Sequence, residues 1–265
     1  MYSYLHRYHA GNFADVHKHL VLMATLNKLI QKPSPFCVLD AFAGEGQYRL
    51  DSEESKKNAE FENGIAPLLN LKPASLLVTQ YIALIQRYNT ESQIQTYPGS
   101  PEIIAKYLRT NDKGIFIEGH PSCYPILKNH FKGQANIHVH KRDAYEALSA
   151  LIPFKEKRGL VFLDPSYEVK SEYEKIATQL IHLYAKFSNA IYLIWYPILV
   201  DGHHERLKEI LHSHATLKLF QHEFYPKNTN LAHRLRGSGI ILINPPWQID
   251  EIIREAFTEL ESVFL

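Results

Sequence analysis

Seven short apolar runs alternate along this chain with segments that have helical periodicity. We interpret the runs as strands, and they occupy residues 36–42, 114–120, 136–144, 159–166, 189–197, 217–225 and 238–246. The first of them are apolar throughout, which is typical of parallel strands covered on both faces. The alternation therefore predicts an α/β fold in which a mostly parallel sheet of about seven strands lies between helices.

One segment interrupts this alternation. Between about residues 48 and 98 we predict no strand, and we expect a polar connector at 49–62 followed by two helices. We interpret 48–98 as a helical insertion after the first strand, within a single domain that spans residues 1–265.

The composition fits one large globular domain. The chain has 265 residues, of which 45% are hydrophobic and 22% charged, so a sizeable core is expected and disorder is not. The 29 basic residues nearly balance the 28 acidic residues, and the net charge is +1. This balance predicts no global attraction to nucleic acid, although it leaves room for a local basic patch.

The chain has the features of a protein from a reducing compartment. Cys37 and Cys123 form no metal-type pair, and the N-terminal residues do not resemble a signal peptide. The longest apolar stretch, residues 190–200, is too short to span a membrane and contains Pro197. We therefore expect a cytoplasmic protein without a membrane segment.

A Gly-rich turn follows the first predicted strand, and acids follow four successive strands. Gly44 and Gly46 lie in "AGEGQ", and the four acids are Asp40, Glu118, Asp143 and Asp164. At the carboxyl edge of a parallel sheet, glycine lets the backbone approach a ligand, and an acid can bind ribose hydroxyls. A single acid there is more often a helix cap. Four in succession favour a nucleoside site.

The turn does not match a dinucleotide-dependent dehydrogenase. Such enzymes use G-x-G-x-x-G directly before a helix, whereas "GEGQYRL" lacks the third glycine and leads into the predicted insertion. We therefore expect S-adenosylmethionine as the cofactor, with S-adenosylhomocysteine as its product.

The stretch "FLDPSYE" at 162–168 places an acid, a proline and a tyrosine at the C-terminal end of the fourth predicted strand. The Asp164 carboxylate and the Pro165 carbonyl could hold the hydrogens of an exocyclic amine, so that its lone pair points at a methyl donor. Tyr167 could stack on a base that has been turned out of its helix or loop. Asp164 could then accept the proton that the methylated nitrogen releases. These residues resemble motif IV of amino-directed methyltransferases, from which Ser166 departs at the third position.

A second sequence, "NPPW" at 244–247, matches the same motif letter for letter. It ends the last predicted strand, whereas motif IV usually follows the fourth. We therefore interpret Asn244 to Trp247 as a turn that begins the C-terminal helix.

The N-terminal segment is rich in histidine. One interpretation is a metal site, because His17 and His19 are two residues apart, but no cysteine or acidic cluster joins them. We therefore predict no metal, and we interpret the segment as the start of a helix with a His-rich face.

Taken together, these residues resemble the RlmJ family, the adenine-N6 methyltransferases of large-subunit 23S ribosomal RNA. The matching patterns are "YxHxxHAGNxADVxKH" at 4–19, "LDxxAGxGxY" at 39–48, "PGSP" at 98–101, Glu118, Asp143 and "DPxYE" at 164–168. The long N-terminal block makes the resemblance far more specific than the short sheet motifs do. It implies a Rossmann-like class I methyltransferase domain, residues 1–20 as a substrate- and donor-binding motif, and a monomer.

The resemblance also implies a set of site residues. Asp164, Pro165 and Tyr167 would be catalytic, and Tyr4 and His6 would contact the RNA substrate. The donor would contact Lys18, His19, Phe42, Gly44, Ser100, Glu118, Asp143, Ala144 and Asp164. Phe42 stands where the family often has a histidine, and Ala144 replaces a glycine, so each should weaken only a single contact.

Two alternatives remain at this point. The same chemistry could act on DNA or on a protein glutamine, because an amide NH2 suits the same acceptors. The chain could also be a non-catalytic RNA-binding relative, although intact Asp164 and Tyr167 argue against this.

Overall fold

The computed structural model describes residues 4–90, 94–227 and 235–264, so residues 91–93 of the predicted insertion lie outside the described residues. The helices are α1 (Phe13–Ile30), α2 (Glu53–Asn58), α3 (Ile65–Leu68), α4 (Leu76–Gln86), α5 (Ser100–Tyr107), α6 (Cys123–His130), α7 (Ala144–Leu151), α8 (Glu172–Lys186), α9 (His204–His212) and α10 (Ile249–Phe264). The strands are β1 (Cys37–Asp40), β2 (Gln47–Arg49), β3 (Thr96–Pro98), β4 (Lys113–Ile117), β5 (Ile137–His140), β6 (Gly159–Leu163), β7 (Ile191–Leu199), β8 (Leu219–Phe224) and β9 (Leu235–Ile243). Short 3-10 helices span His6–Tyr8 and Glu60–Asn63.

Seven strands form one sheet in the order β5-β4-β1-β6-β7-β9-β8. Every described pairing within it is parallel except those of β9, which runs antiparallel to β7 and β8. The predicted α/β class, with a mostly parallel sheet of seven strands, is therefore confirmed. The strand order reverses beside β1, so β1 and β6 border the crevice in which α/β sheets bind ligands.

Alternate residues of the central strands enter two separate cores. In β6, Leu160 and Phe162 join the core beneath α1, α4 and α10, whereas Val161 and Leu163 join the core beneath α7, α8 and α9. All four side chains are buried. Since both faces are covered, these strands need apolar residues at every position, which explains their continuous apolar pattern.

The prediction that residues 48–98 contain no strand is wrong. β2 and β3 pair antiparallel, with Tyr48 opposite Tyr97, and they bracket this segment. Strands of three residues are too short to show an alternating pattern. The connector predicted at 49–62 also contains α2, whose N-cap Ser52 accepts a hydrogen bond from the backbone of Ser55.

Helix α1 carries the N-terminal motif into the fold. Asn12 caps it by accepting a hydrogen bond from the backbone N–H of Asp15 at 2.9 Å. The helix is almost completely buried, and it contacts α4, α5, α10 and β9. Polar side chains near its beginning are therefore held inside the protein, where each needs a partner.

Candidate active site

Two cavities meet at the carboxyl edge of the sheet. The first has a volume of about 410 Å³ and the second about 260 Å³. Five residues line both: Tyr4, His6, Lys18, Asp164 and Ser166. The structure therefore brings the N-terminal segment and the "DPSYE" loop to the junction of the two cavities.

Every site residue predicted from the sequence lines at least one of these cavities. The first contains Tyr4, His6, Lys18, His19, Phe42, Gly44, Ser100, Glu118, Asp143, Ala144 and Asp164, and the second contains Tyr4, His6, Lys18, Asp164, Pro165 and Tyr167. Their roles in binding and catalysis stay predictions.

The Gly-rich turn after β1 forms one wall of the first cavity. Gly44 and Gly46 have φ values of 64° and 82°, in the left-handed region that favours glycine. A Cβ on Gly44 would lie 2.1 Å from the hydroxyl oxygen of Tyr48. The backbone N–H of Gly44 donates to Oε2 of Glu118 at 2.7 Å, so the turn and the tip of β4 are fastened together.

Glu118 lines the same cavity beside this turn. Its other carboxylate oxygen accepts a hydrogen bond from the backbone N–H of His120 at 2.5 Å. Burial raises the pKa of Glu118 to about 7, against the effect of the backbone N–H groups of His120 and Gly44. The carboxylate thus changes charge near neutral pH, and it faces the cavity that a nucleoside would enter.

Asp40 differs from the other strand-tip acids. Its side chain is fully buried, and it does not line either cavity. It accepts hydrogen bonds from the hydroxyl of Ser100 at 2.6 Å and from the backbone N–H of Phe42 at 3.2 Å. Burial raises the pKa of Asp40 to about 7. Asp40 therefore orients the residues beside the cavity and does not face a ligand itself.

Asp143 combines a structural and a cavity-lining position. Its Oδ1 caps α7 by accepting hydrogen bonds from the backbone N–H groups of Tyr145 and Glu146, at 3.0 Å and 3.1 Å. Asp143 and Ala144 also line the first cavity. Asp143 therefore caps α7 and lines the first cavity at the same time.

A buried ion cluster lies where the two cavities join. Nζ of Lys18 lies 2.5 Å from Oδ2 of Asp164 and 2.8 Å from Oδ1 of Asp15. Burial opposes the charge of Lys18, but Asp15 and Asp164 outweigh it and raise the pKa of the ammonium group. Lys18 therefore stays positively charged, and it orients the Asp164 carboxylate.

Asp15 was not predicted as a site residue, although it lies within the N-terminal block. Its Oδ2 accepts a hydrogen bond from the backbone N–H of Gly11 at 2.8 Å and lies 2.9 Å from Nε2 of His6. Burial opposes ionisation, but the charges of His6 and Lys18 hold the pKa of Asp15 well below its usual range. The signal available in the sequence was an acid three residues before a lysine in the first turn of a helix.

His19 also lines the first cavity. Its Nδ1 is 2.7 Å from the hydroxyl oxygen of Tyr97, which in turn lies 2.8 Å from the hydroxyl of Tyr81. Burial lowers the pKa of His19 to about 3, so the imidazole is neutral at physiological pH. It can exchange hydrogen bonds with a ligand without bringing a charge.

Aromatic and proline side chains form much of the wall of the second cavity. Tyr4, Pro165, Tyr167, Trp195 and Pro197 all line it. Trp195 was not predicted, and the only sequence signal was its position in the strand that follows the "DPSYE" loop. Such a wall suits a flat, partly apolar ligand.

The predicted stacking role of Tyr167 meets a constraint. The ring is only 7% exposed, and it already stacks on Tyr173 with the ring centroids 4.2 Å apart. Its hydroxyl donates to the backbone carbonyl of Trp195 at 2.8 Å, and its φ is 52°. Only the part of Tyr167 that faces the second cavity is free to meet a base. Stacking by Tyr167 stays a prediction.

The "NPPW" sequence lies at the opposite edge of the sheet, because β9 runs antiparallel. Nδ2 of Asn244 donates to the backbone carbonyls of Ser188 and Ala190, at 2.6 Å and 2.8 Å, just before β7. α10 begins soon afterwards, at Ile249. The interpretation of this sequence as a strand-to-helix turn is confirmed.

Two kinds of feature are absent from the part of the chain that the structure describes. No three His, Cys, Asp or Glu side chains are grouped there so that they could hold a metal ion. None of the helices in those same ranges has both the length and the apolar character that a membrane crossing requires.

Comparisons with known proteins agree with the resemblance that the motifs suggest. A family model described as "Ribosomal RNA large subunit methyltransferase D, RlmJ" matches residues 33–264. The chain is 36% identical over 266 residues to the ribosomal RNA large subunit methyltransferase J of Haemophilus influenzae, covering 100% of this chain and 95% of the relative. It is 34% identical over 262 residues to the Escherichia coli protein of the same name, covering 99% and 94%.

A solved structure shows the same fold. The crystal structure of a Legionella pneumophila protein superposes with a TM-score of 0.88 at 34% identity, covering 97% of this chain and 94% of that one. The match to the family model and the full-length identity to both relatives lead to one conclusion: the chain belongs to the RlmJ family of large-subunit ribosomal RNA methyltransferases.

Proposed function

We propose that this protein transfers a methyl group from S-adenosylmethionine to the exocyclic N6 of an adenine in 23S ribosomal RNA, and that Asp164 holds the target amine. Membership of the RlmJ family makes the chain an S-adenosylmethionine-dependent ribosomal RNA methyltransferase. The observation that carries the finer assignment is the position of Asp164, which lines both cavities at their junction.

The first cavity suits the methyl donor. Its volume of about 410 Å³ lies within the range of small-molecule sites. The Glu118 carboxylate can accept hydrogen bonds from ribose hydroxyls, and Gly44 lets the backbone come close to the ligand. We expect Asp143 and Ala144 to lie near the adenine of the donor, Lys18 and His19 near its methionine part, and Ser100 beside the donor, since all five line this cavity. When bound, S-adenosylmethionine supplies an electrophilic methyl group at a sulfonium centre.

The second cavity suits the target base. Its aromatic and proline wall can enclose a base that has left its stack. Asp164 and the Pro165 carbonyl accept the two amine hydrogens, which directs the nitrogen lone pair toward the first cavity. Lys18 fixes the Asp164 carboxylate for this task. Asp164 then takes the proton that the methylated nitrogen releases.

The remaining properties are also proposals. We infer that the enzyme acts as a monomer in the cytoplasm and needs no metal. Methyl transfer to an amine requires no Lewis acid, and the lysine at the centre of the site already supplies a positive charge. A chelator that abolished activity, with recovery on adding one divalent ion, would contradict the last point.

The test uses ribosomal RNA from cells that lack the gene. Wild-type protein should form N6-methyladenine at one position of 23S RNA, mapped by sequencing and mass spectrometry. Asp164→Ala should lose methyl transfer but leave donor affinity, measured by calorimetry, nearly intact. Asn244→Ala, altered in the rival motif, should keep methyl transfer. A wild-type protein that binds donor and modifies DNA or a protein glutamine, but no adenine of the RNA, would overturn the proposal.

A further inference from the structure

Trp195 connects the wall of the second cavity with the ion cluster. Nζ of Lys18 lies 5.4 Å from the centroid of the Trp195 ring. The ring centroids of Tyr167 and Trp195 are 6.2 Å apart, and the Tyr167 hydroxyl donates a hydrogen bond to the backbone carbonyl of Trp195. The angle of the Trp195 indole therefore affects both the shape of the second cavity and the surroundings of Lys18.

A chain of buried and half-buried polar groups holds this indole. The Trp195 N–H donates to Oγ of Ser238 at 2.8 Å, across the β7–β9 pairing. Oγ of Ser238 also lies 2.8 Å from Nδ1 of His17, whose Nε2 lies 3.0 Å from Nδ1 of His222. We refer to Trp195, Ser238, His17 and His222 as the Trp195 network.

Indole chemistry determines the direction of the first hydrogen bond in the network. An indole N–H can only donate, so Ser238 accepts from Trp195 and has one proton to donate. Donating it to Nδ1 of His17 places the His17 proton on Nε2, from which it bonds His222. The opposite tautomer of His17 would leave the Ser238 proton without an acceptor among these four residues. Burial, together with His222, lowers the pKa of His17 well below its usual range, so His17 is neutral.

The network also ties the cavity wall to helix α1. His17 is fully buried, and it packs edge-on against Phe257 with the ring centroids 4.8 Å apart. The next residue, Lys18, reaches Asp164. Ser238 thus bonds the cavity wall and the helix that carries the active-site lysine through a single hydroxyl group.

We propose that Ser238 and His17 are positioning residues for methyl transfer, which hold the Trp195 indole at the orientation that the target base requires. Neither residue is among those that line the two cavities. They act through Trp195 and not by contact with the substrate. The inference rests on the proposed function, since it takes the second cavity as the base site.

The test combines kinetics with the fluorescence of Trp195. The chain has 2 tryptophans, so a Trp247→Phe background leaves Trp195 as the sole reporter. In this background, Ser238→Ala should lower kcat/KM for ribosomal RNA about tenfold. This is the change expected when one hydrogen bond, here that from the Trp195 N–H, is lost at the upper end of the usual range. It should also change the Trp195 emission while donor affinity stays the same. Ser238→Thr, which keeps a hydroxyl, should restore both.

A control separates positioning from general destabilisation. Ile241→Val lies on the other face of β9, in the opposite core. It should lower stability without changing Trp195 emission or kcat/KM. The sharper comparison is a double-mutant cycle with Trp195→Phe, which keeps an aromatic ring but has no N–H. Ser238→Ala should have no further effect on kcat/KM in that background.

Three results would decide against the inference. A folded Ser238→Ala protein with wild-type kcat/KM and emission would overturn it, and so would an equal loss of kcat/KM with and without the Trp195→Phe substitution. If Ser238→Ala does not fold, His17→Leu is compared with His17→Asn, because asparagine keeps an acceptor near the position of Nδ1. Equal activity of these two variants would overturn the inference. Failure of the wild-type protein to methylate RNA would contradict the proposed function instead.

Discussion

Lys18 and Asp164 are 146 residues apart in the sequence, and their charged groups are 2.5 Å apart in the structure. Lys18 also bonds Asp15, so one buried ammonium group serves two carboxylates from different parts of the chain. The helix that precedes the first strand therefore contributes a side chain to the proposed reaction centre. A substitution at Lys18 should affect folding and catalysis together.

Replacing Lys18 by methionine, which has a similar shape, should lower the free energy of unfolding by about 3 kcal/mol or more. It leaves the buried Asp15 and the half-buried Asp164 without their cation. Methyl transfer should also be lost. Lys208→Met is the control, because Lys208 also pairs with two carboxylates, those of Glu205 and Glu223, but its side chain is 18% exposed against 5% for Lys18, and it should cost less than Lys18→Met. Urea unfolding measures the free energy of unfolding of both variants. Equal losses in Lys18→Met and Lys208→Met would contradict a special contribution of the ion cluster around Lys18.

Gly44→Ala should disrupt the first cavity. The new Cβ would meet the Tyr48 hydroxyl at 2.1 Å, in a backbone conformation that side chains rarely adopt. The Gly44 bond to Glu118 should be lost with it, weakening donor binding by about 1–3 kcal/mol. Gly133→Ala has the same kind of backbone strain, with φ +87°, but nothing lies within 4 Å of the new Cβ. It should leave donor affinity unchanged by calorimetry, and equal weakening in both variants would show that backbone strain alone is responsible.

Donor affinity should depend on pH near neutrality. Burial raises the pKa of Glu118 to about 7, and a ribose hydroxyl donates best to the ionised carboxylate. Affinity should therefore fall as pH decreases through about 7, because Glu118 takes up a proton. Glu118→Gln should weaken binding by about 1–3 kcal/mol and flatten this dependence. Calorimetric titration with S-adenosylhomocysteine at several pH values tests it, and a pH-independent wild-type affinity would exclude this role of Glu118.

Asn244 should contribute to stability and not to chemistry. Alanine at this position loses both bonds from Nδ2 and keeps a φ of 56°, whereas glycine loses the bonds without the strain. Asn244→Ala should therefore be less stable than Asn244→Gly by about 1 kcal/mol, and both should retain methyl transfer. Thermal unfolding and the RNA assay measure the two effects. If the Asn244 variants were folded but inactive, "NPPW" and not "DPSYE" would be the catalytic loop.

The histidines of the Trp195 network should make the protein acid-sensitive. Burial lowers the pKa of His17 well below its usual range, with His222 acting in the same direction. Burial lowers the pKa of His222 to about 4, opposed by Glu223 and reinforced by Arg254. In the unfolded chain both imidazoles take up protons near pH 6.5. The stabilisation is therefore complete above about pH 6.5 and is lost as pH falls toward 4.

His222→Gln should reduce this acid sensitivity, because glutamine does not titrate. The free energy of unfolding in urea, measured from neutral pH down to about pH 4, should fall less steeply than in the wild type. His212→Gln provides the control, since His212 is exposed and lies outside the network. Identical slopes for wild type and His222→Gln would rule out His222 as a source of the pH dependence.

The features that could be predicted from the sequence are those that depend on neighbouring residues. The seven strands, the Gly44 turn and the "DPSYE" loop each have a local pattern. Asp40 shows the limit of such patterns, because its position at a strand tip does not reveal that it bonds Ser100 inside the protein. The sequence around Trp195 and Ser238 does not reveal that the two side chains meet. They become partners only when β7 and β9 pair in one register.

The short pairing of β2 with β3 has a consequence for how the enzyme can diverge. It closes the segment between them at its base, where the backbone N–H of Gly99 also bonds the carbonyl of Gly46 at 2.8 Å. The Gly-rich turn and the start of α5 are thus joined directly, whatever the length of the chain between them. The exposed surface of that segment can change while the walls of the first cavity keep their spacing, provided that the buried face of α4, which carries Tyr81, is retained. We expect variation there to alter which RNA surface the enzyme recognises, and to leave its hold on the methyl donor unchanged.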